Sequence, residues 1–221
     1  MFERAALVRV LPFALYLSFI LIDDMLRRFG WPAHALRWLY GIKIGAVLTV
    51  LIACRRHYGE LRWVRPSPRG LLLSLLTGLL VLVLWVKLDA GWMSIGSSAG
   101  FDPRGDGGII DWRLVAMRIA GAALVVPVME ELFWRSFLMR WIDAPDFLKR
   151  APAQVSARAF AVSVLLFGFE HNLWLAGLVA GAAYSVLYMR SQSLWPPIIA
   201  HAVTNAGLGV WIVTTGHWTY W

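Results

Sequence analysis

Glu130, Glu131 and Arg135 are ionisable residues inside an otherwise apolar stretch, Val126–Trp141, with the sequence VPVMEELFWRSFLMRW. A charge at the centre of a membrane helix costs at least about 2.5–3.5 kcal/mol, so such residues need a partner or a function. Residues four apart share a helix face, which lets Glu131 pair with Arg135. Glu130 lies about 100° away around the helix. We therefore expect one carboxylate to be held by the arginine and the other to face a different neighbour, free to react.

Two further polar clusters lie in apolar stretches. Phe167 and His171 are four apart in FGFEH, and His201 and Asn205 are four apart in HAVTN. Counted at about 1.5 Å per residue from the flanks nearest the basic loops, Glu130, His171 and His201 lie roughly 15, 20 and 9 Å deep. These depths predict that the three clusters converge in one pocket, in the half of the bundle nearest the basic loops.

These residue types suffice for peptide hydrolysis without a covalent intermediate. A buried carboxylate can act as general base on a water molecule, and a neutral histidine can orient that water or carry its proton. Histidine and asparagine donors can stabilise the developing oxyanion. No G-x-S-x-G motif competes as a nucleophile, and the single cysteine, Cys54, ends the second predicted span.

Other uses of these residues stay open at this point. Two histidines and a carboxylate can hold zinc, and Glu130, His171 and His201 would be the ligands. No H-E-x-x-H motif is present, and we predict no cofactor. A proton-coupled transporter or channel could use the same buried residues as a relay. A catalytically idle scaffold is the third alternative.

Composition points to a membrane protein. Hydrophobic residues make up 59% of the 221-residue chain, with 13 tryptophans, and the mean hydropathy is +0.63. Soluble domains are usually about 45–50% apolar. The net charge of +8 does not indicate nucleic-acid binding, because the basic residues cluster between apolar runs, as in the loops of membrane proteins.

The apolar runs predict an all-α bundle of about seven (six to eight) transmembrane helices in a single domain, 1–221, with the motifs in a core over 112–214. The predicted spans are 5–22, 36–54, 70–88, 112–141, 156–171, 173–190 and 194–214. The Gly-, Ser- and Asp-rich segment 89–111 is predicted to be an external loop, since a calcium loop needs acidic ligands in closer alternation.

Basic residues set the predicted orientation. With seven spans, one side of the membrane carries Arg4, Arg9, Arg55, Arg56, Arg62, Arg65, Arg69, Arg140, Lys149, Arg150, Arg158 and Arg190. The other side carries Arg27, Arg28, Arg37, Lys87, Arg104 and Arg113. The excess on the first side predicts a cytoplasmic N-terminus and an external C-terminus.

The motifs EELFWR, FGFEH and HAVTN match E-E-x-x-x-R, F-x-x-x-H and H-x-x-x-N in order. Together with the linking LAGLVAGAAYSVLYMRSQSLWPP, they resemble the CPBP family of intramembrane proteases, which includes the type II CAAX prenyl endopeptidase. The resemblance covers roughly 125–206. The form of the first motif is similar to a subgroup linked to bacterial exosortase protein-sorting systems.

The resemblance implies roles for individual residues. Glu130 matches the glutamate thought to activate water, and His171 matches its helper. His201 and Asn205 match the pair proposed to form the oxyanion hole. Supporting roles fall to the other matched positions, Glu131, Arg135 and Phe167.

The resemblance also implies a setting for the protein. It implies a glutamate-type, metal-independent endopeptidase of the bacterial inner membrane that acts in protein processing or sorting. The expected partners are membrane lipids, a membrane-anchored protein or peptide substrate, and an exosortase-type sorting system.

Overall fold

The computed structural model describes residues 4–64, 66–96, 98, 100–105 and 107–221, and for Ala33 the backbone alone. Within these residues the chain is helical, without strands and with one isolated antiparallel bridge between Arg104 and Ile110. The main helices there are α1 (Arg4–Arg28), α2 (Leu39–Cys54), α3 (Pro68–Lys87), α4 (Trp112–Trp141), α5 (Ala157–Phe169), α6 (Trp174–Ser191) and α7 (Trp195–Thr215). The predicted all-α membrane bundle is confirmed.

Five helices of the described chain are long and apolar enough to cross a membrane: α1, α2 with its flanking turns (His34–His57), α3, α4 and α7. The protein is therefore an integral membrane protein. The 13-residue α5 is roughly 20 Å long, shorter than a hydrocarbon core of about 30 Å. An irregular turn at residues 170–173 joins it to α6, which has 18 residues.

Helix α1 continues six residues beyond the predicted end at residue 22. The prediction ended the span where the apolar run stops, at Asp23 and Asp24. In the structure Asp23 pairs with Arg27 at 2.7 Å and Asp24 with Arg28 at 2.8 Å, each four residues along the helix. Such pairs stabilise exposed helix, so α1 extends past its apolar part.

Helix α4 is not α-helical throughout. It widens into π-helix over Gly121–Val125 and again over Leu132–Leu138, with regular α-helix between them at Val126–Glu131. Pro127 follows the first π segment and has no N–H to donate to the carbonyl of residue 123, which favours a wider turn at that point. The two π segments flank the adjacent glutamates Glu130 and Glu131.

Glycines allow the helices around the site to approach closely. Helix α5 packs along α6, and a Cβ at Gly177 would lie 3.0 Å from the backbone of Gly168. Helix α3 packs along α7, and a Cβ at Gly78 would collide with the Ala200 carbonyl. Helix α6 contacts both α3 and α7. The backbones carrying Phe167 and His201 are thereby fixed against the centre of the bundle.

The segment 89–111 packs over one end of the bundle as a loop. Its described part contains a short 3-10 turn, Gly91–Met93. The Ile95 N–H donates to the Asn172 carbonyl at 2.7 Å, and the Asn172 side chain donates back to the Ile95 carbonyl at 3.0 Å. Phe101 N–H donates to the Trp218 carbonyl at 3.1 Å. The loop therefore joins the α5–α6 turn to the C-terminal residues.

Candidate active site

The His201 imidazole lies between the two adjacent glutamates of α4. Its Nδ1 is 3.0 Å from Glu131 Oε1, and its Nε2 is 4.0 Å from Glu130 Oε2. Since a carboxylate can only accept, Nδ1 carries the proton and donates it to Glu131. Both glutamates therefore lie beside the same histidine. The expectation that Glu130 faces a different neighbour from Glu131 is wrong, because one nitrogen of the ring faces Glu131 and the other faces Glu130.

Glu131 and Arg135 form the predicted ion pair, fully buried in the bundle. Arg135 Nη1 donates to Glu131 Oε1 at 3.1 Å, and Nη2 donates to the Gly181 carbonyl of α6 at 3.4 Å. The guanidinium lies over the rings of Phe167, at 4.3 Å from its centroid, and Tyr184, at 5.5 Å. Among the described residues, the other carboxylate oxygen of Glu131 and the Nε of Arg135 are buried without a hydrogen-bond partner, so these contacts hold the pair. Glu131 thus connects α4 to α7 and, through Arg135, to α6.

Glu130 is buried, yet no hydrogen bond to its carboxylate is formed by the described residues, and its Oε2 is enclosed and unpaired there. A buried polar atom without a partner is costly and calls for a physical explanation. The 4.0 Å gap to His201 Nε2 is too long for a direct hydrogen bond. Of the two glutamates, Glu130 is therefore the candidate for chemistry.

His171 follows α5 and is held by its own helix. Its Nδ1 lies 2.8 Å from the Phe167 carbonyl, which can only accept, so Nδ1 carries the proton and Nε2 keeps its lone pair. The ring contacts Phe167 at 4.8 Å and the edge of Trp85 at 5.2 Å between centroids. The predicted four-residue pairing of Phe167 and His171 therefore positions the histidine directly.

Asn205 reaches the first π segment of α4. Its Nδ2 donates to the Ala122 carbonyl at 2.8 Å. Backbone carbonyls in a π segment are displaced from their α-helical partners, which leaves them available to side chains. The second amide hydrogen of Asn205 has no acceptor among the described residues, so the side chain retains a donor.

The predicted site residues line one cavity. Glu130, Phe167, His171, His201 and Asn205 all border a cavity of about 190 Å³. A larger adjoining cavity of about 740 Å³ shares Glu130 and His171 with it. Its rim is formed by the end of α1, the 89–111 loop, the α5–α6 turn and the C-terminal residues. The site therefore opens at the end of the bundle opposite the N-terminus, although Glu130 and His201 lie nearer the other end of their helices.

Two neighbours of the site were missed by sequence reasoning. Glu170 lines the larger cavity, and its Oε2 accepts from Trp134 Nε1 at 3.1 Å. An ionisable residue at membrane depth was a signal that could have identified it. Tyr184 stacks on the His201 ring at 5.0 Å and donates to Thr204 at 2.7 Å. A tyrosine inside an apolar helix has no distinguishing sequence signal.

A zinc site does not fit this geometry. Among the described residues, no three His, Cys, Asp or Glu side chains come close enough together to hold a metal ion. The alternative ligand set of Glu130, His171 and His201 is therefore not assembled among these residues.

A second buried ionic network lies at the basic end of the bundle. Arg9 of α1 donates to both carboxylate oxygens of Glu60 at 2.7 and 2.6 Å, and Ser136 of α4 donates to the same carboxylate. Arg140 donates to Ser136 Oγ at 2.8 Å. Burial alone would raise the pKa of Glu60, but hydrogen bonds and charge from Arg9, with the Ser136 hydrogen bond, outweigh it and hold the pKa below 4.5. This network fixes α1 and the α2–α3 loop to α4.

Comparison with known proteins adds one finding. Residues 112–207 match the family model described as "Rce1-like: Type II CAAX prenyl endopeptidase Rce1-like". No curated protein and no solved structure matches the chain. The matched range runs from the start of α4 into α7 and contains every candidate site residue.

Proposed function

We propose, on the premise of the match of residues 112–207 to the Rce1-like family model, that the chain is a glutamate-type intramembrane endopeptidase of the CPBP family. The family implies intramembrane protease activity. The substrate that we propose is a membrane-anchored protein or peptide. The observation that carries the proposal is His201 between Glu130 and Glu131, at the wall of a cavity shared with His171 and Asn205.

Glu130 is the general base in this proposal. Glu130 borders both cavities, so a water held there can lie within hydrogen-bond distance of its carboxylate. The carboxylate takes a proton from that water as its oxygen attacks the scissile carbonyl, and the carboxyl group returns the proton to the amine as the C–N bond breaks. His171 supports this step, because its Nε2 lone pair can accept a proton while Phe167 holds Nδ1.

His201 and Asn205 are the proposed oxyanion donors. With Nδ1–H donated to Glu131, His201 can donate from Nε2 only as the imidazolium, and the Glu131 carboxylate stabilises that form. The free amide hydrogen of Asn205 supplies the second donor. Removing one such donor in other enzymes lowers kcat about 10²–10³-fold. Glu131, Arg135 and Phe167 are positioning residues that hold the two histidines.

We place the protein in a bacterial inner membrane with its N-terminus in the cytoplasm. The excess of Lys and Arg on the N-terminal side supports this orientation. The larger cavity then opens to the exterior, since its rim is formed by the 89–111 loop and the C-terminal residues. An exosortase-type sorting system, which handles anchored proteins outside the cytoplasmic membrane, would supply such a substrate.

The proposal is tested by mapping new protein termini. Membranes of cells that express the wild-type chain are compared by mass spectrometry with membranes of cells that express Glu130→Gln. Because general acid–base catalysis contributes about 10²–10⁴-fold, termini that depend on the wild-type chain should fall at least about a hundredfold with Glu130→Gln. The matched control is Asp24→Asn, an exposed carboxylate at the end of α1.

Equal amounts of these termini with wild type and Glu130→Gln would overturn the assignment of Glu130. Proton flux through proteoliposomes, with no termini dependent on the chain, would favour the transporter alternative instead. The Asp24→Asn control should match the wild type in both measurements.

A further inference from the structure

Two cations line the larger cavity without an acidic partner. Lys43 of α2 is buried, with a relative exposure of 9%, and Arg118 of α4 is half-buried. Both border the cavity that also contains Glu130 and His171. Within the described part of the chain, neither side chain donates a hydrogen bond or forms an ion pair. A buried cation in this position is costly unless an anion compensates it.

Aromatic rings hold both cations in place. Lys43 Nζ lies 3.9 Å from the Tyr16 ring centroid and 5.0 Å from that of Tyr40. The Arg118 guanidinium lies 4.2 Å from the centroid of Tyr40 and 5.2 Å from that of Phe101. Cation–π contacts engage the ring face and leave the N–H groups available. Both cations therefore contact Tyr40, and their donors stay free.

The acidic residues at the rim of the same cavity are already engaged. Asp23 accepts from Arg27 at 2.7 Å, and Asp89 accepts from the Tyr220 hydroxyl at 2.7 Å. Glu170 accepts from Trp134. Apart from Glu130, which the proposed reaction uses, no carboxylate among the described lining residues is left to compensate Lys43 and Arg118.

We propose that Lys43 and Arg118 form an anion-binding site that holds a carboxylate of the peptide substrate while its scissile bond lies at Glu130. The proposal rests on the endopeptidase function, because the same cavity reaches the catalytic residues. Arg118 also lines the smaller cavity with Glu130, His201 and Asn205, which makes the path from the anion site to the reacting groups continuous. A planar guanidinium with free N–H edges suits bidentate binding of a carboxylate.

The test measures binding, so it does not depend on cleavage. The full chain carrying Glu130→Gln is placed in nanodiscs of phosphatidylcholine, and binding is followed by tryptophan fluorescence, since Trp85 and Trp221 line the cavity. The three probes are an N-acetylated apolar tetrapeptide with a free C-terminal carboxylate, its C-terminal amide, and the amide with one aspartate. We expect the free acid or the aspartate peptide to bind at least tenfold tighter than the plain amide.

The double variant Lys43→Met/Arg118→Gln should abolish that preference, so that the acidic peptides and the plain amide bind with about equal affinity. The control is Lys87→Met/Arg113→Gln, which removes two exposed cations from the ends of α3 and α4 and should keep the preference. If the first double variant does not fold, the comparison of acid with amide on the parent chain decides the question.

Equal affinity for all three probes, or a preference unchanged in Lys43→Met/Arg118→Gln, would overturn the proposal. Displacement of the peptide by phosphatidylglycerol in the nanodisc would also overturn it, because the cations would then hold a lipid phosphate. A tight acid-specific site together with unchanged cleavage by Glu130→Gln would instead refute the glutamate mechanism and leave the anion site standing.

Discussion

Glu131 has one carboxylate oxygen, Oε1, that accepts from both Arg135 and His201. That oxygen fixes the tautomer of the histidine and neutralises the arginine in a part of the bundle from which water is excluded. The pairing of Glu131 with Arg135 was predictable from their spacing. The contact with His201 was not, because it joins residues 70 positions apart and depends on how α4 and α7 pack.

Replacing Arg135 with methionine should be strongly destabilising. The change leaves the buried Glu131 carboxylate without its cation, and breaking a buried pair in this way costs about 3–5 kcal/mol. Thermal unfolding in detergent should show a clear fall in the midpoint.

The double variant Glu131→Gln/Arg135→Met provides the control for charge. It removes both charges together, so it should unfold at a higher temperature than Arg135→Met alone. An Arg135→Met protein as stable as the wild type would show that the pair contributes no net constraint.

The lowered pKa of Glu60 leads to a prediction of how stability depends on pH. Its pKa is held below 4.5 in the folded protein, so its contribution to stability is complete above about pH 4.5 and is lost as the pH falls through the folded pKa. The temperature at the midpoint of unfolding of the wild type should therefore fall as the pH is lowered below about 4.5. The measurement is thermal unfolding in detergent between pH 3 and 7.

Glu60→Gln should flatten that acid limb, because the group can no longer take up a proton on unfolding. Asp24→Asn, which alters an exposed ion pair, should keep the wild-type shape. The interpretation fails if Glu60→Gln and the wild type show parallel curves below pH 4.5.

Helix α4 shows what the length of an apolar run cannot reveal. The apolar run predicted the bounds of the helix, 112–141, and these are confirmed. It could not show the π segments at Gly121–Val125 and Leu132–Leu138, because their cause is local hydrogen bonding. Pro127 was the available signal, and it indicated an irregularity without specifying its form.

Helices α5 and α6 depend on a glycine contact that alanine would break. In Gly177→Ala the new Cβ lies 3.0 Å from the Gly168 backbone, which cannot yield as a side chain would. We expect a loss of about 1–3 kcal/mol in unfolding free energy. Cleavage should fall as well, because Phe167 and His171 follow the displaced α5. The measurements are thermal unfolding and the terminus assay.

Gly45→Ala is the matched control for that change. Gly45 lies in α2 with no atom within 4 Å of a built Cβ, so alanine there should be neutral or stabilising by about 0.5–1 kcal/mol. Similar behaviour of the two variants would argue against close packing as the cause.

At the scale of the whole molecule, apolar length and motif order were enough to predict the helices and the shared cavity of Glu130, His171, His201 and Asn205. The end of α1 was placed too early because ion pairs, rather than apolar residues, extend it. The direction in which the cavity opens was not predictable, since it depends on how the 89–111 loop and the C-terminal residues pack together.

The proposed orientation predicts which loops can be labelled from outside the cell. In a Cys54→Ser background, Ile109→Cys in the 89–111 loop should react with a membrane-impermeant maleimide in intact cells. Trp63→Cys, on the basic side, should react only after permeabilisation. Both native side chains are more than 60% exposed, so a difference in labelling reports the side of the membrane. The reverse pattern would invert the orientation.

The π segments on either side of the glutamate pair have a consequence for how this chain compares with relatives. A π turn holds one residue more than the α turn that it replaces, as a single-residue insertion would produce. Each such residue rotates the rest of the helix by about 100°. In a relative whose helix is α-helical throughout the region of Gly121–Val125, the residue that corresponds to Glu130 would align only if a one-residue gap is placed before it. Its counterpart of Arg118 would then lie on another face of the helix, so conservation of Glu130 and of Arg118 would vary independently.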